Sequence, residues 1–198
     1  MPLETVNLAL FSLINATPHA SSLSIHVATF IAQDLLYILA LLLAFLWCQG
    51  NKAMKERALK AVVITAIGLS ISFFISTLFY HPRPFAMPIG QNYLAHAANG
   101  SFPSDHMLIF STIAFSYLFS GRKRTGSILL CLAWCVAWSR VYLGVHFPFD
   151  MIGAFIFAFL LNWVGYRIWQ NYGIYLFKIA LNIYYYVLGY FVSKGFIR

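Results

Sequence analysis

Apolar residues in this chain fall into long runs broken by short polar stretches, not into the strict alternation of a half-buried strand. A run of about 20 residues matches the roughly 30 Å hydrocarbon core of a bilayer and reads as a spanning helix. Five runs meet that test, near residues 23–47, 59–80, 104–120, 127–143 and 150–170. A sixth stretch, 174–193, is rich in tyrosine and carries Lys178, so it is expected either to span or to lie at the interface. The opening "VNLALFSLIN" is too short to span, and residues 1–22 are expected to form an interfacial segment. No repeat or low-complexity linker divides the chain. The pattern therefore predicts a single all-α integral membrane domain, residues 1–198, built as a bundle of five or six transmembrane helices with its core at 59–170.

Composition agrees with the pattern. The chain is 61% hydrophobic and 9% charged, far more apolar than a soluble domain. The net charge of +8 sits in short clusters between apolar runs: Lys52, Lys55, Arg57 and Lys60, then Arg122, Lys123 and Arg124, then Arg167. That spacing is an orientation signal, with the clusters on the cytoplasmic side, and it excludes a nucleic-acid patch. The remaining connections, 81–103 and 144–149, are then expected outside, where Arg83 and Arg140 stand against the charge bias. Cys48, Cys131 and Cys135 lie in apolar runs and are expected to be small buried hydrophobes rather than a disulfide framework. The N-terminus has no basic start and does not resemble a cleaved signal. Asp34, in the middle of the first span, is an intramembrane acid. It is expected to be neutral or hydrogen-bonded to a neighbouring helix, with a possible supporting role in proton balance.

Three stretches meet at the outer end. They are "HPRPF" at 81–85, "PSDH" at 103–106 and "SRVYLGVHFPFD" at 139–150. Ser104 is placed to cap a helix, whose free N–H groups would attract an anion. Arg83 and Arg140 offer planar forks that match phosphate oxygens. Pro148 suits the first position of the next helix, which puts Asp150 one turn in and His146 just before it. Asp150 can then hold one imidazole nitrogen while the other acts as nucleophile, and His106 can supply a proton to a leaving group.

These residues resemble the signature of the type-2 phosphatidic acid phosphatase superfamily, whose motifs are K-x6-R-P, P-S-G-H and S-R-x5-H-x3-D. The third is complete in Ser139, Arg140, His146 and Asp150. The second carries Asp105 where glycine is usual. The first keeps Arg83 and Pro84 but has Ser76 at the lysine position. The variants and the small size are similar to bacterial undecaprenyl-diphosphatases of the bacitracin-resistance type. The resemblance implies cleavage of undecaprenyl diphosphate through a phosphohistidine on His146, at the outer face of the bacterial inner membrane. It implies Arg83, Arg140, Ser104 and backbone N–H groups near Asp105 as phosphate ligands, with Pro84, Ser139 and His81 in support. Neither metal nor cofactor is implied, and the partners are a polyprenyl diphosphate lipid and membrane lipids.

Other readings compete. Within the enzyme class, phosphatidylglycerophosphate, phosphatidate and lipid A are rival substrates, because the motifs read phosphate and not lipid. His81, His96, His106 and His146 raise a metal-site alternative. A lipid or anion transporter is the non-enzyme alternative, but it would call for paired halves and broken spans.

Overall fold

The computed structural model describes residues 2–197. Helix α1 (Pro2–Ile14) lies at one end of the molecule. Helix α2 (Ser22–Thr29) runs through a π-helical turn (Phe30–Asp34) into α3 (Leu35–Gln49), making one rod. Helices α4 (Lys52–Leu78), α5 (Asp105–Phe119), α6 (Lys123–Tyr142) and α7 (Pro148–Ser193) follow. The α2–α3 rod, α4, α6 and α7 are each long and apolar enough to cross a membrane.

Helix α5 is the centre of the bundle. It packs against α4, α6 and α7 and buries residues on every side, from Met107 and Leu108 to Phe115 and Ser116. A helix buried all round need not be amphipathic, and this one is not. Its hydroxyls, Ser111, Thr112 and Ser116, are buried with it. Asn162 of α7 donates to the Thr112 carbonyl at 3.0 Å, tying two helices where no water competes. The outer helices turn large side chains outward, among them Phe45, Phe73 and Trp163. In lipid this apolar exterior is a solvated surface.

Cys131 and Cys135 are on that exterior rather than buried. The face of α6 that packs inward is Ala133, Val136 and Ala137, and the two cysteines lie off it. Asp34 is exposed too, in the π-helical turn, and does not enter the site. The buried face there is Ala28 and Ala32, four residues apart, and Asp34 lies off it.

The fifth and sixth apolar runs are one helix. The 46 residues of α7 span about 69 Å at 1.5 Å per residue, more than twice a bilayer core. Nothing between 170 and 174 breaks it: an isolated glycine costs a helix only about 1 kcal/mol. At Gly173 an added Cβ would meet the Trp169 indole at 2.5 Å, so glycine lets that ring lie along the helix. The distal half returns to the bundle at its basic end. Tyr184 donates to the Cys48 carbonyl at 3.2 Å, its ring sits 3.8 Å from Lys55 Nζ, and Gln49 donates to the Phe196 carbonyl at 2.8 Å. Residues 174–193 thus continue α7 rather than forming a helix of their own, with Lys194 as its C-cap.

At the opposite end, α1 and the loop 79–104 close over α6 and α7. Asn15 donates to the carbonyls of Gln91 and Tyr142, and Tyr93 N–H donates to Leu143 at 3.0 Å. Gly144, in the turn between α6 and α7, has φ +80°, and an added Cβ would lie 2.0 Å from the Gln91 carbonyl oxygen. Both the dihedral and the approach require glycine. We expect Gly144→Ala to cost about 2 kcal/mol or more and to lower activity by displacing His146. A thermal melt in detergent beside an activity assay checks both.

Candidate active site

The α6–α7 connection places its side chains by ordinary helix chemistry. Arg140 is in the last turn of α6. Pro148 opens α7, and Asp150 sits in its first turn, where an acid is favourable. Asp150 Oδ2 accepts the Phe147 N–H at 2.8 Å, which orients the carboxylate toward His146. It accepts His146 Nδ1 at 3.3 Å and the Ser101 hydroxyl at 2.5 Å. One oxygen therefore has three donors.

Arg83 closes the other side of the ring. Its Nη1 donates to His146 Nε2 at 2.8 Å and to the Val145 carbonyl at 2.9 Å. Its Nε donates to Asn99 Oδ1 at 2.9 Å and its Nη2 to the Gly100 carbonyl at 3.2 Å. An arginine cannot accept a proton here, so Nε2 is the acceptor and the proton is on Nδ1, facing Asp150. The Nε2 lone pair of the resting ring is thus free of a proton, and Arg83 partly covers it. Burial works against the charge on Arg83, and the Asp150 and Asp105 carboxylates offset that.

Arg140 is the contrast. It is 1% exposed, and its Nε and Nη2 find no hydrogen-bond partner among the described residues. A buried guanidinium without partners is costly, and its fork is free to take an anion. His106, in the first turn of α5, is half-buried, with Arg140, His146, His96 and Arg83 all acting on it electrostatically.

Ser104 caps α5, accepting Met107 N–H at 3.5 Å, and its own N–H donates to the Asp150 carbonyl at 3.3 Å. Asp105 forms no ion pair with the arginines among the described residues, though its charge acts on both. It accepts the hydroxyl of buried Ser72 on α4 at 2.8 Å, so its partner is a hydroxyl and not a cation. Ser139 turns back onto the Val136 carbonyl, and Pro84 opens a short 3₁₀ turn. His81 lies 3.7 Å from Glu4 of α1, while its carbonyl accepts Ser101 N–H. Ser76 donates to the Phe73 carbonyl.

Four contributors escaped sequence reading. Ser101 and Asn99 hold Asp150 and Arg83. Ser72 holds Asp105. Asn7 of α1, 3% exposed, accepts Phe149 N–H at 3.0 Å and so caps α7. None carries a spacing signal; each is defined by a partner far away in the chain. Among the described residues no group of three or more His, Cys, Asp or Glu is arranged to hold a metal ion.

Burial depresses the His146 pKa to about 3; Asp150 works in the opposite direction, and Arg83 and Arg140 add to the depression. An unfolded histidine takes a proton at about pH 6.5. The folded state therefore binds fewer protons between that pH and about 3. Stability is complete above the window and falls as pH drops through it, by about 1.4 kcal/mol per pH unit for one proton. A detergent melt should show this acid slope, and His146→Gln should remove that share of it.

A membrane-spanning helical bundle, with a carboxylate-held imidazole beside a buried free guanidinium, has the parts of a membrane phosphatase. The sequence pattern of the PAP2 superfamily matches residues 57–174, and the chain belongs to that superfamily. It is 41% identical over 196 residues to the Escherichia coli (strain K12) protein YbjG, provisionally named an undecaprenyl-diphosphatase, covering 99% of both chains. It is 30% identical to the undecaprenyl-diphosphatase BcrC of Bacillus subtilis (strain 168), covering 82% of this chain and 83% of that one. The crystal structure of Aquifex aeolicus LpxE is similar at a TM-score of 0.69 and 27% identity, covering 82% of this chain and 95% of the other. A transmembrane PAP2-type phosphatidylglycerolphosphate phosphatase from Bacillus subtilis shares the fold, at a TM-score of 0.62 and 19% identity, covering 86% and 87%.

Proposed function

We propose that this protein hydrolyses undecaprenyl diphosphate to undecaprenyl phosphate and inorganic phosphate, through a phosphohistidine on His146. The observation that carries the chemistry is the buried Arg140 fork without partners beside a neutral, oriented His146. The names of the similar proteins from Escherichia coli and Bacillus subtilis support the lipid.

His146 Nε2 attacks the terminal phosphorus as Arg83 Nη1 shifts from the ring to a phosphoryl oxygen. The bond from phosphorus to the bridging oxygen breaks, and its electrons leave with undecaprenyl phosphate. His106, protonated once the diphosphate's negative charge offsets the cations around it, gives that leaving group a proton. Asp150, held by Ser101 and Phe147, stabilises the positive ring. Arg140 and the N-terminus of α5 hold the equatorial oxygens where charge gathers. His106 then takes a proton from water, which attacks the phosphohistidine. Phosphate departs, and His146 regains its lone pair.

The basic end of the bundle belongs in the cytoplasm by the positive-inside rule. That sets the site at the outer edge of a bacterial plasma membrane, where the lipid can present its diphosphate without its tail leaving the bilayer. The product is the carrier for cell-wall precursors, and its regeneration there would confer resistance to bacitracin.

The test is phosphate release from undecaprenyl diphosphate by purified protein in detergent with excess EDTA. Release in EDTA supports the metal-free mechanism. Loss in EDTA that added metal restores overturns it. Inactivity of folded protein toward undecaprenyl diphosphate, with turnover of phosphatidate, phosphatidylglycerophosphate or lipid A, moves the substrate to that lipid.

A further inference from the structure

We propose that His96 is a third imidazole of this site and binds the non-reacting phosphate of a diphosphate substrate, so that it selects diphosphates over phosphomonoesters. This rests on the phosphatase reading above.

His96 comes from the loop 79–104, which has no helical register to aim it. The loop is nonetheless fixed just before it. Leu94 is buried against Leu143 and Val145, its N–H donates to Asn92 Oδ1, and Tyr93 N–H reaches Leu143. His96 Nδ1 lies 3.0 Å from the carbonyl of Ala97, which makes Nδ1 the protonated nitrogen and leaves Nε2 unbound. The ring centroid is 6.2 Å from that of His146, at 72°. A terminal phosphoryl group at His146 Nε2 therefore has its next phosphate, one bridging oxygen away, within reach of the half-buried His96 ring.

The charge balance of the site calls for another donor. Arg83 Nη1 goes to the terminal phosphoryl group, and the rest of its guanidinium is held by Asn99, Val145 and Gly100. Arg140 has one free fork, which the terminal phosphoryl group occupies. Ser76 faces the Phe73 carbonyl. Asp105 is acidic and bonded to Ser72. The free donors of the two arginines all sit on the terminal phosphoryl group, and a diphosphate brings a second charged phosphate that they leave unpaired. The charged and titratable groups facing His96 are Arg83, Arg140 and Asp105, with His106 and His146 beside them. Burial first, then the two arginines, hold the free imidazole neutral; its bond to Ala97 and Asp105 oppose them. An anion arriving among these groups reverses the balance and lets Nε2 take a proton and donate.

The test compares undecaprenyl diphosphate with phosphatidate, using full-length wild type, His96→Ala, His96→Gln and His96→Asn, with His146→Ala as the dead control. His96→Ala should raise KM for the diphosphate about 10- to 100-fold, the worth of one charge-assisted hydrogen bond, with kcat and the monoester nearly unchanged. Gln places an amide N–H where Nε2 was and should restore much of the loss. Asn mimics only the Nδ1 bond to Ala97 and should not. Equal loss on both substrates, rescue by Asn rather than Gln, or no change in KM would overturn the proposal while leaving the phosphatase reading intact. Inactivity of folded wild type toward any phosphate ester would overturn both. If His96→Ala does not fold, the Gln and Asn pair still decides.

Discussion

His146→Ala should abolish turnover, lowering kcat by at least about 10³-fold, as loss of a nucleophile does elsewhere. The structure makes the expectation specific. Nε2 is the ring nitrogen with a lone pair to offer once Arg83 moves aside, because Nδ1 is committed to Asp150. Asp150→Asn should come close to the same loss with the ring still present. Its carboxylate oxygen accepts from Ser101, Phe147 and His146 at once, and an amide that turns its NH₂ there has nothing to accept with. The ring would then lose its Nδ1–H tautomer. Rapid-quench capture of phosphoenzyme separates the two variants from a fold defect. Wild type should yield an acid-labile, base-stable phosphoprotein, and His106→Ala should accumulate it during hydrolysis of a substrate with a good leaving group. His146→Ala should yield none. Phosphoenzyme in the His146 variant would place the nucleophile elsewhere.

Arg140→Met should inactivate the protein while making it more stable. The guanidinium keeps its charge, is 1% exposed, and leaves Nε and Nη2 without partners. Replacing a buried, poorly compensated charge by an apolar side chain of similar length can stabilise by about 1–4 kcal/mol. The same fork is what a phosphoryl group would occupy, so its loss should cost at least about 100-fold in kcat/KM. Arg140→Lys should not rescue, because an ammonium cannot span two oxygens. Melting curves in detergent, with and without phosphate or vanadate, check both halves. Wild type should gain Tm with the oxyanion, since a ligand that binds only the folded state stabilises it. Arg140→Met should start higher and gain nothing. A variant that melts lower than wild type would mean that Arg140 serves the fold and not the substrate.

The two arginines divide roles that their residue type alone made equal. Both stood out as basic residues at the wrong end of the bundle. Arg83 has four partners in the resting state and is as much a clamp between loops as a phosphate ligand. Arg140 has the unused valence. A planar fork in a sequence does not reveal whether local carbonyls have already claimed it. Asp105 shows the same limit. Its place beside the anion site was plain from the chain order, but its compensation comes from Ser72, a full helix away.

What the sequence alone determined follows from local periodicity. Lengths of apolar run predicted the helices of the bundle. Four of these, among the described residues, are long and apolar enough to cross, while α5, expected to span at 104–120, has only 15 residues. The clusters of lysine and arginine marked one basic end. The spacing from Arg140 to Asp150 placed a cation, an imidazole and a carboxylate at one helix junction, because Pro148 and a first-turn acid are local rules. Tertiary structure alone decided three things. Residues 174–193 continue α7, since apolar runs carry no mark of where a helix must stop unless a proline or a capped turn breaks it. Asp34 and the cysteines of α6 face outward, since in lipid an apolar helix has no polar face to declare its rotation. Ser101, Asn99, Asn7 and His96 reach the site through loops and a terminal helix whose hydrogen bonds join positions distant in the chain. Such pairings leave no period in the sequence, so only the folded chain can show them.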